Sequence, residues 1–106
     1  MQFRGGMNEL MRQAARMQRK LEEAKTKLQD LEVTANAVGD KVKATATYGG
    51  TVSKIEIDPE FLKTEGLDLA LDGVCAAVNA ALAQSKKAME AELEKVTGGV
   101  KIPGML

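Results

Sequence analysis

The sequence predicts an α+β fold: a long N-terminal helix, a three-stranded antiparallel sheet, a short helical turn and a long C-terminal helix. Three observations predict it. Apolar residues between Leu10 and Leu31 recur at alternating steps of four and three. Residues 41–48 alternate strictly between polar and apolar, with a glycine turn on either side. A second long helical pattern runs up to the stop Gly98-Gly99. The 106 residues amount to one domain, with 1–6 expected as a flexible lead-in and 98–106 as a flexible tail.

The first helix is expected from about Asn8 to Leu31. Its seam is Leu10, Ala14, Met17, Leu21, Ala24, Leu28 and Leu31, and no Pro or Gly interrupts residues 7–38. Such a helix is about 36 Å long, too long for a small sheet to cover, so part of the seam must meet another helix. The period then changes. Residues 32–38 are rich in β-branched side chains, and Gly39-Asp40 makes a tight hairpin turn. In the next strand Val42, Ala44, Ala46 and Tyr48 take one face and Lys41, Lys43, Thr45 and Thr47 the other. Gly49-Gly50 turns the chain into a third strand, 51–57, where the apolar parity slips and predicts a bulge near Ser53-Lys54. Asp58-Pro59 is a helix start, with Asp as cap and Pro at the first helical position. That turn ends before Gly66. The last helix runs from Leu67 or Asp68 to Thr97, with Leu71, Val74, Cys75, Val78, Leu82, Met89, Leu93 and Val96 as its expected apolar stripe.

Composition removes whole classes of chemistry. Histidine is absent, and with it the commonest general base, the commonest metal ligand and every Ser–His or Cys–His pair. The single thiol, Cys75, makes neither an internal disulfide nor a multi-cysteine zinc site, and its apolar neighbours predict a small buried hydrophobe. No phosphate-loop spacing surrounds either Gly-Gly pair. Met7, Met11 and Met17 share a helix with no second ligand type and read as packing residues. Glu56 and Asp58 are two carboxylates on one strand end, but a cap and a solvated strand residue account for them. The expectation is therefore a binding protein and not an enzyme, with no metal, cofactor or small-molecule substrate. Residues 1–20 lack the apolar segment of a signal peptide, and the longest uncharged stretch, Gly73 to Ser85, is too short to span a bilayer. A cytoplasmic protein without membrane attachment is expected.

Charge points to the partner. The net charge is zero, yet residues 1–31 hold seven Lys/Arg against four Asp/Glu. Arg12, Arg16 and Arg19 are spaced four and three, which places them within about 60° of each other, opposite the apolar seam. Lys20, Lys25 and Lys27 flank that seam. A solvated, salt-bridging exterior fits this pattern, with Glu9, Glu22 and Glu23 as partners; so does an anion-binding ridge. Aromatic residues are scarce, two Phe and one Tyr, so a lone chain is thinly stabilised and pairing with a second copy would add burial.

The sequence resembles the YbaB/EbfC family of bacterial nucleoid-associated proteins. The resemblance is carried by Gly5-Gly6-Met7, Leu10-Met11-Arg12-Gln13-Ala14 and Met17-Gln18, then by Leu31-Glu32-Val33-Thr34. It continues through residues 52–59, the alanine-rich run 76–81, Gly98-Gly99 and Ile102-Pro103-Gly104. The Gly39-Asp40 turn departs from it, being shorter than the glycine-rich loop expected there. The resemblance implies an intertwined, tweezers-like homodimer that binds double-stranded DNA with low sequence selectivity, in the nucleoid, as organiser or gene regulator. Phosphate contacts by Arg and Lys suit such binding. The residues expected to make them are Arg12, Arg16 and Arg19, then Arg4 and Lys20, and more weakly Lys86, Lys87 and Lys101. Two rivals remain: a prefoldin-like holdase gripping clients with Met7, Met11, Met17, Ile102, Met105 and Leu106, and a purely structural partner-binding module.

Overall fold

A computed structural model describes residues 2–98, with side chains from residue 6 onward. The order is α1 (Gln2–Leu28), β1 (Glu32–Ala37), β2 (Val42–Thr47), β3 (Val52–Ile57), α2 (Pro59–Glu65) and α3 (Leu67–Thr97). The strands form one antiparallel sheet in the order β1-β2-β3. The expected α+β succession is present. The tail from Gly99 onward, including Lys101, Ile102, Met105 and Leu106, lies outside the described residues.

The central strand behaves as its alternation requires. Val42, Ala44 and Ala46 are buried and Lys43, Thr45 and Thr47 are not. Ala35 of β1, directly opposite Ala44, joins the same core. The expected bulge is also there. Thr45 pairs with Lys54 but Ala46 with Val52, so Ser53 is the extra residue. Its hydroxyl donates to Glu32 Oε2 at 2.7 Å. Asp58 caps α2 as expected, its Oδ1 accepting from the amides of Glu60 (2.8 Å) and Phe61 (3.4 Å). Those amide contacts, Glu60 first, and the nearby Lys41 ammonium hold the Asp58 carboxyl below its ordinary pKa. Gly98 ends α3 in the left-handed conformation, its N–H donating to the Glu94 carbonyl.

Three expectations need correction. The first helix starts at Gln2 and stops at Leu28, so Gly5 and Gly6 lie within it and not in a lead-in. Helical glycines cost about 1 kcal/mol each relative to Ala, but no proline or competing cap breaks the run. The stripe of α3 against the sheet is only in part the expected one. Ala70, Gly73, Ala77 and Ala81 are the fully buried positions, Val74, Val78 and Leu82 of the expected stripe pack partly buried beside them, and Leu71 and Cys75 are exposed. Cys75 is therefore not a buried hydrophobe. The reason is distance: a Cβ on Gly73 would sit 2.9 Å from Val42 Cγ2, so α3 lies too close to β2 for large side chains. Finally, the β1–β2 turn uses Val38 as well as Gly39 with positive φ (53° and 65°), an uncommon conformation for a β-branched residue.

Buried positions 77, 81, 85, 93 and 97 of α3 are all multiples of four apart. Such a row slants around a helix, so α3 meets the sheet with its first half and α1 with its second. There Leu21 and Leu93 are almost completely enclosed. Part of the seam thus meets a helix, as expected. By length and composition α3 is also apolar enough to cross a membrane, yet its small-residue stripe is packed on the sheet. The molecule measures 76 × 20 × 17 Å with a radius of gyration of 20.2 Å, against about 13 Å for a compact domain of this length. Elongation follows from helices that outrun the sheet.

Candidate nucleic-acid interface

Where α1 outruns its cover, it becomes a single exposed helix. From residue 6 to residue 20 only Met17 is even partly buried. Arg12, Arg16, Arg19 and Lys20 all stand in solvent there. Arg12 to Arg19 covers about 10 Å of helix axis, over which duplex DNA presents roughly six phosphates.

Glu9 sits within this ridge. Its two carboxylate oxygens lie 3.7 Å from Arg12 Nη1 and 3.7 Å from Arg16 Nη2. One carboxylate shared by two guanidiniums leaves positive charge uncompensated. Exposed pairs of this length hold weakly, on the order of 0–1 kcal/mol, so a phosphate can displace Glu9. Arg19 forms no ion pair among the described residues, although Glu22 and Glu23 are near it on the helix. The salt-bridged exterior is thus present in part, and its single shared carboxylate leaves the arginine face net positive and open to solvent.

The remaining expected residues are distributed elsewhere. Arg4 is in the first turns of α1, with its side chain outside the description. Lys86 and Lys87 are exposed on α3. Lys86 lines a cleft of about 400 Å³ together with Lys25, Tyr48, Leu82, Met89 and Leu93, where α1, the β2–β3 turn and α3 converge. The two carboxylates at the end of β3 are occupied separately. Glu56 pairs with Lys54 Nζ at 2.7 Å, which lowers the pKa of the acid and raises that of the base, while Asp58 caps α2. Among the described residues no three His, Cys, Asp or Glu side chains gather to hold a metal.

The sequence did not single out a second surface. Leu67 (63% exposed) and Leu71 (51%) lie on the uncovered face of α3, next to Cys75. Ile55 and Ile57 oppose Ala44 and Val42 across β2–β3 and so point to the α3 side of the sheet. Yet α3 lies over β1 and β2 and only grazes β3, leaving Ile55 half-exposed. The signal was available: the apolar arc of α3, from the Ala/Gly stripe through Val74 and Val78 to Leu67 and Leu71, is wider than its own small sheet can cover.

Comparison with known proteins agrees with this arrangement. Residues 3–100 match the YbaB/EbfC DNA-binding family. A nucleoid-associated protein of Myxococcus xanthus is 39% identical over 99 residues, covering 93% of this chain and 94% of the relative. Another, from Clostridium acetobutylicum, is 32% identical over 101 residues, covering 95% and 90%. An uncharacterized protein of Helicobacter pylori has the same fold in its crystal structure, with a TM-score of 0.51 at 18% identity and coverage of 98% and 99%. With the helix–sheet–helix order, the exposed basic arm and near-complete matches along its length, the chain belongs to the YbaB/EbfC DNA-binding family.

Proposed function

We propose that this chain is a nucleoid-associated protein that works as a homodimer and grips double-stranded DNA through phosphate contacts, with little sequence selectivity. The observation that carries the reading is the Arg12–Arg16–Arg19 ridge on an unsupported arm, in a member of a DNA-binding family. Arginines on a straight helix face match a regular polyanion and carry no base information by themselves. Aromatic platforms for single strands are absent from the arm's described face. On this reading the protein acts in the nucleoid, in organisation or regulation of DNA; the family match and the nucleoid-associated relatives support it.

The dimer rests on a different observation. The chain exposes 7546 Å², against roughly 5,700 Å² for a compact monomer of its size. The uncovered Leu67–Leu71–Cys75 face and Ile55 form an apolar surface of the kind that a second copy buries. A two-fold pair would double the basic ridge.

The test is fluorescence anisotropy with two unrelated duplexes across a salt series. The expected result is similar affinity for both, with log K falling linearly in log salt at about 0.9 per neutralised phosphate. Arg12→Glu with Arg16→Glu should abolish binding and leave the dimer intact. No binding at low salt would refute the reading. A second reading has one observation in its favour: Met7, Leu10 and Met11 are exposed on the same arm, as a client-gripping holdase requires. Protection of a denatured client from aggregation, without any DNA binding, would select it.

A further inference from the structure

We infer that the free half of α1 is a self-association surface, where the arm of one assembly pairs with the arm of another through the seam Met7, Leu10, Ala14 and Met17. This is separate from the dimer surface on α3 and from the arginine ridge.

The cover over α1 ends, but the seam does not. Leu21 is 1% exposed, and Ala24 and Leu28 are partly buried. Further out, Ala14 is exposed, Leu10 is 66% exposed, Met7 62% and Met11 67%. Met7 stands three residues before Leu10, so the alternation of four and three runs unbroken from the buried half into the bare half. That spacing is what knobs-into-holes packing between helices demands. A bilayer or an unfolded client demands only an apolar face. The inner half of the seam already meets a helix, α3. The outer half has the same geometry and, among the described residues, no helix against it.

The flanks of the seam select an identical helix as the occupant. Between residues 6 and 18 the positions beside it are Gly6, Met11, Gln13 and Gln18, all uncharged. Two copies of this segment can approach without like-charge repulsion. Glu9, Arg12 and Arg16 are held on the outer side, where Glu9 binds both arginines. A Cβ on Gly6 would meet nothing within 4 Å, which leaves the flank open to a neighbouring backbone. The paired segment is only about two heptads long, with Ala at one core position. Its contact area falls short of the roughly 1,200 Å² of stable complexes. Pairing is therefore weak between free molecules and becomes effective when arms are held at high local concentration. Neighbours on one DNA, or on two DNA segments, meet that condition, because the arginines face away from the seam. That consequence rests on the DNA-binding reading; the pairing itself does not.

Sedimentation velocity over a concentration series, without DNA, tests it. The wild type should shift to a larger species at high concentration. Met7→Gln with Leu10→Gln, at exposed positions and with a good helix former, should keep its circular dichroism spectrum and its basal size but lose the shift. Ala14→Leu should produce the shift at several-fold lower concentration. Arg12→Glu with Arg16→Glu, which tests the DNA reading, should leave the shift unchanged, so the two ideas can fail separately. No larger species in either the wild type or Ala14→Leu overturns the proposal. So does a glutamine variant that associates like the wild type, or one that falls apart to a monomer, which would assign the seam to the basal dimer. Binding of a denatured client or of anionic vesicles through the seam, with no self-association, overturns it as well.

Discussion

Replacing Gly73 by alanine sets two opposing terms against each other in one methyl group. In an isolated helix the change is favourable by about 1 kcal/mol. Here the new Cβ would lie 2.9 Å from Val42 Cγ2 and 3.3 Å from Val38 Cγ2. Val42 is fully buried and stiff about χ1, so it cannot swing aside. Overpacking of this kind costs typically 1–3 kcal/mol. The net expectation is a loss of about 0–2 kcal/mol. Removing the obstacle should reverse the sign. Val42→Ala alone should cost about 2 kcal/mol, from two buried methyls lost. In that background the nearest remaining Val42 atom is Cβ at 3.6 Å, an ordinary contact. Val38 Cγ2 belongs to a half-exposed turn residue that can yield. Gly73→Ala should then stabilise by about 1 kcal/mol. Urea denaturation of the four proteins, at one fixed protein concentration because an assembly's stability depends on it, gives the cycle. A coupling energy of about 1–3 kcal/mol is expected. If Gly73→Ala stabilises the otherwise wild-type protein by as much as it stabilises Val42→Ala, the close approach of α3 to β2 is not what selects glycine there.

Other expectations concern the joints of the molecule. Leu21→Ala empties an almost fully enclosed position between α1 and α3 and should cost about 2–5 kcal/mol, whereas Leu10→Ala on the bare arm should cost little; equal effects in thermal melts would mean that the arm is packed and not bare. Asp58 has a depressed folded-state pKa, so its stabilising contribution is fully present above the ordinary carboxylate value near 4 and disappears as pH falls through the folded value. Asp58→Asn should therefore melt lower than the wild type at pH 7, with the difference narrowing on acidification below pH 4; a difference independent of pH would place the cap's contribution elsewhere. Cys75, exposed in the single chain, should react slowly with a maleimide while the α3 face is paired and quickly after Leu71→Glu; fast labelling of the intact dimer would move the interface off that face.

Much of the architecture was legible because each signal was local. Lys41 to Tyr48 could be placed from parity alone, and Asp58-Pro59 from the chemistry of a helix start. The parity slip after Val52 foretold the extra residue at Ser53. What resisted reading were the choices that depend on distance between elements. Leu71 and Cys75 are as apolar as Ala70 and Ala77, or more so, and hydropathy favours the bulkier stripe. Only the spacing of α3 above Val42 reveals that the small stripe faces inward. The basic ridge was visible as Arg12, Arg16 and Arg19, but the sharing of Glu9 by Arg12 and Arg16 depends on side-chain reach. Nor does any propensity put Val38 at positive φ; the hairpin imposes it.

The bulge at Ser53 also bears on solubility. An outer strand with free amides and carbonyls is a template on which further strands can stack without limit. The extra residue breaks the even spacing of those groups along β3 and increases the local twist. Lys54 and Glu56, charged and exposed beside it, make the edge still less receptive to a flat, uncharged newcomer. If many copies gather along one polymer, as the proposed function implies, crowding must not become precipitation. Here the bulged, charged margin of β3 is a poor template for open-ended strand addition, which favours attachments that stop after one neighbour.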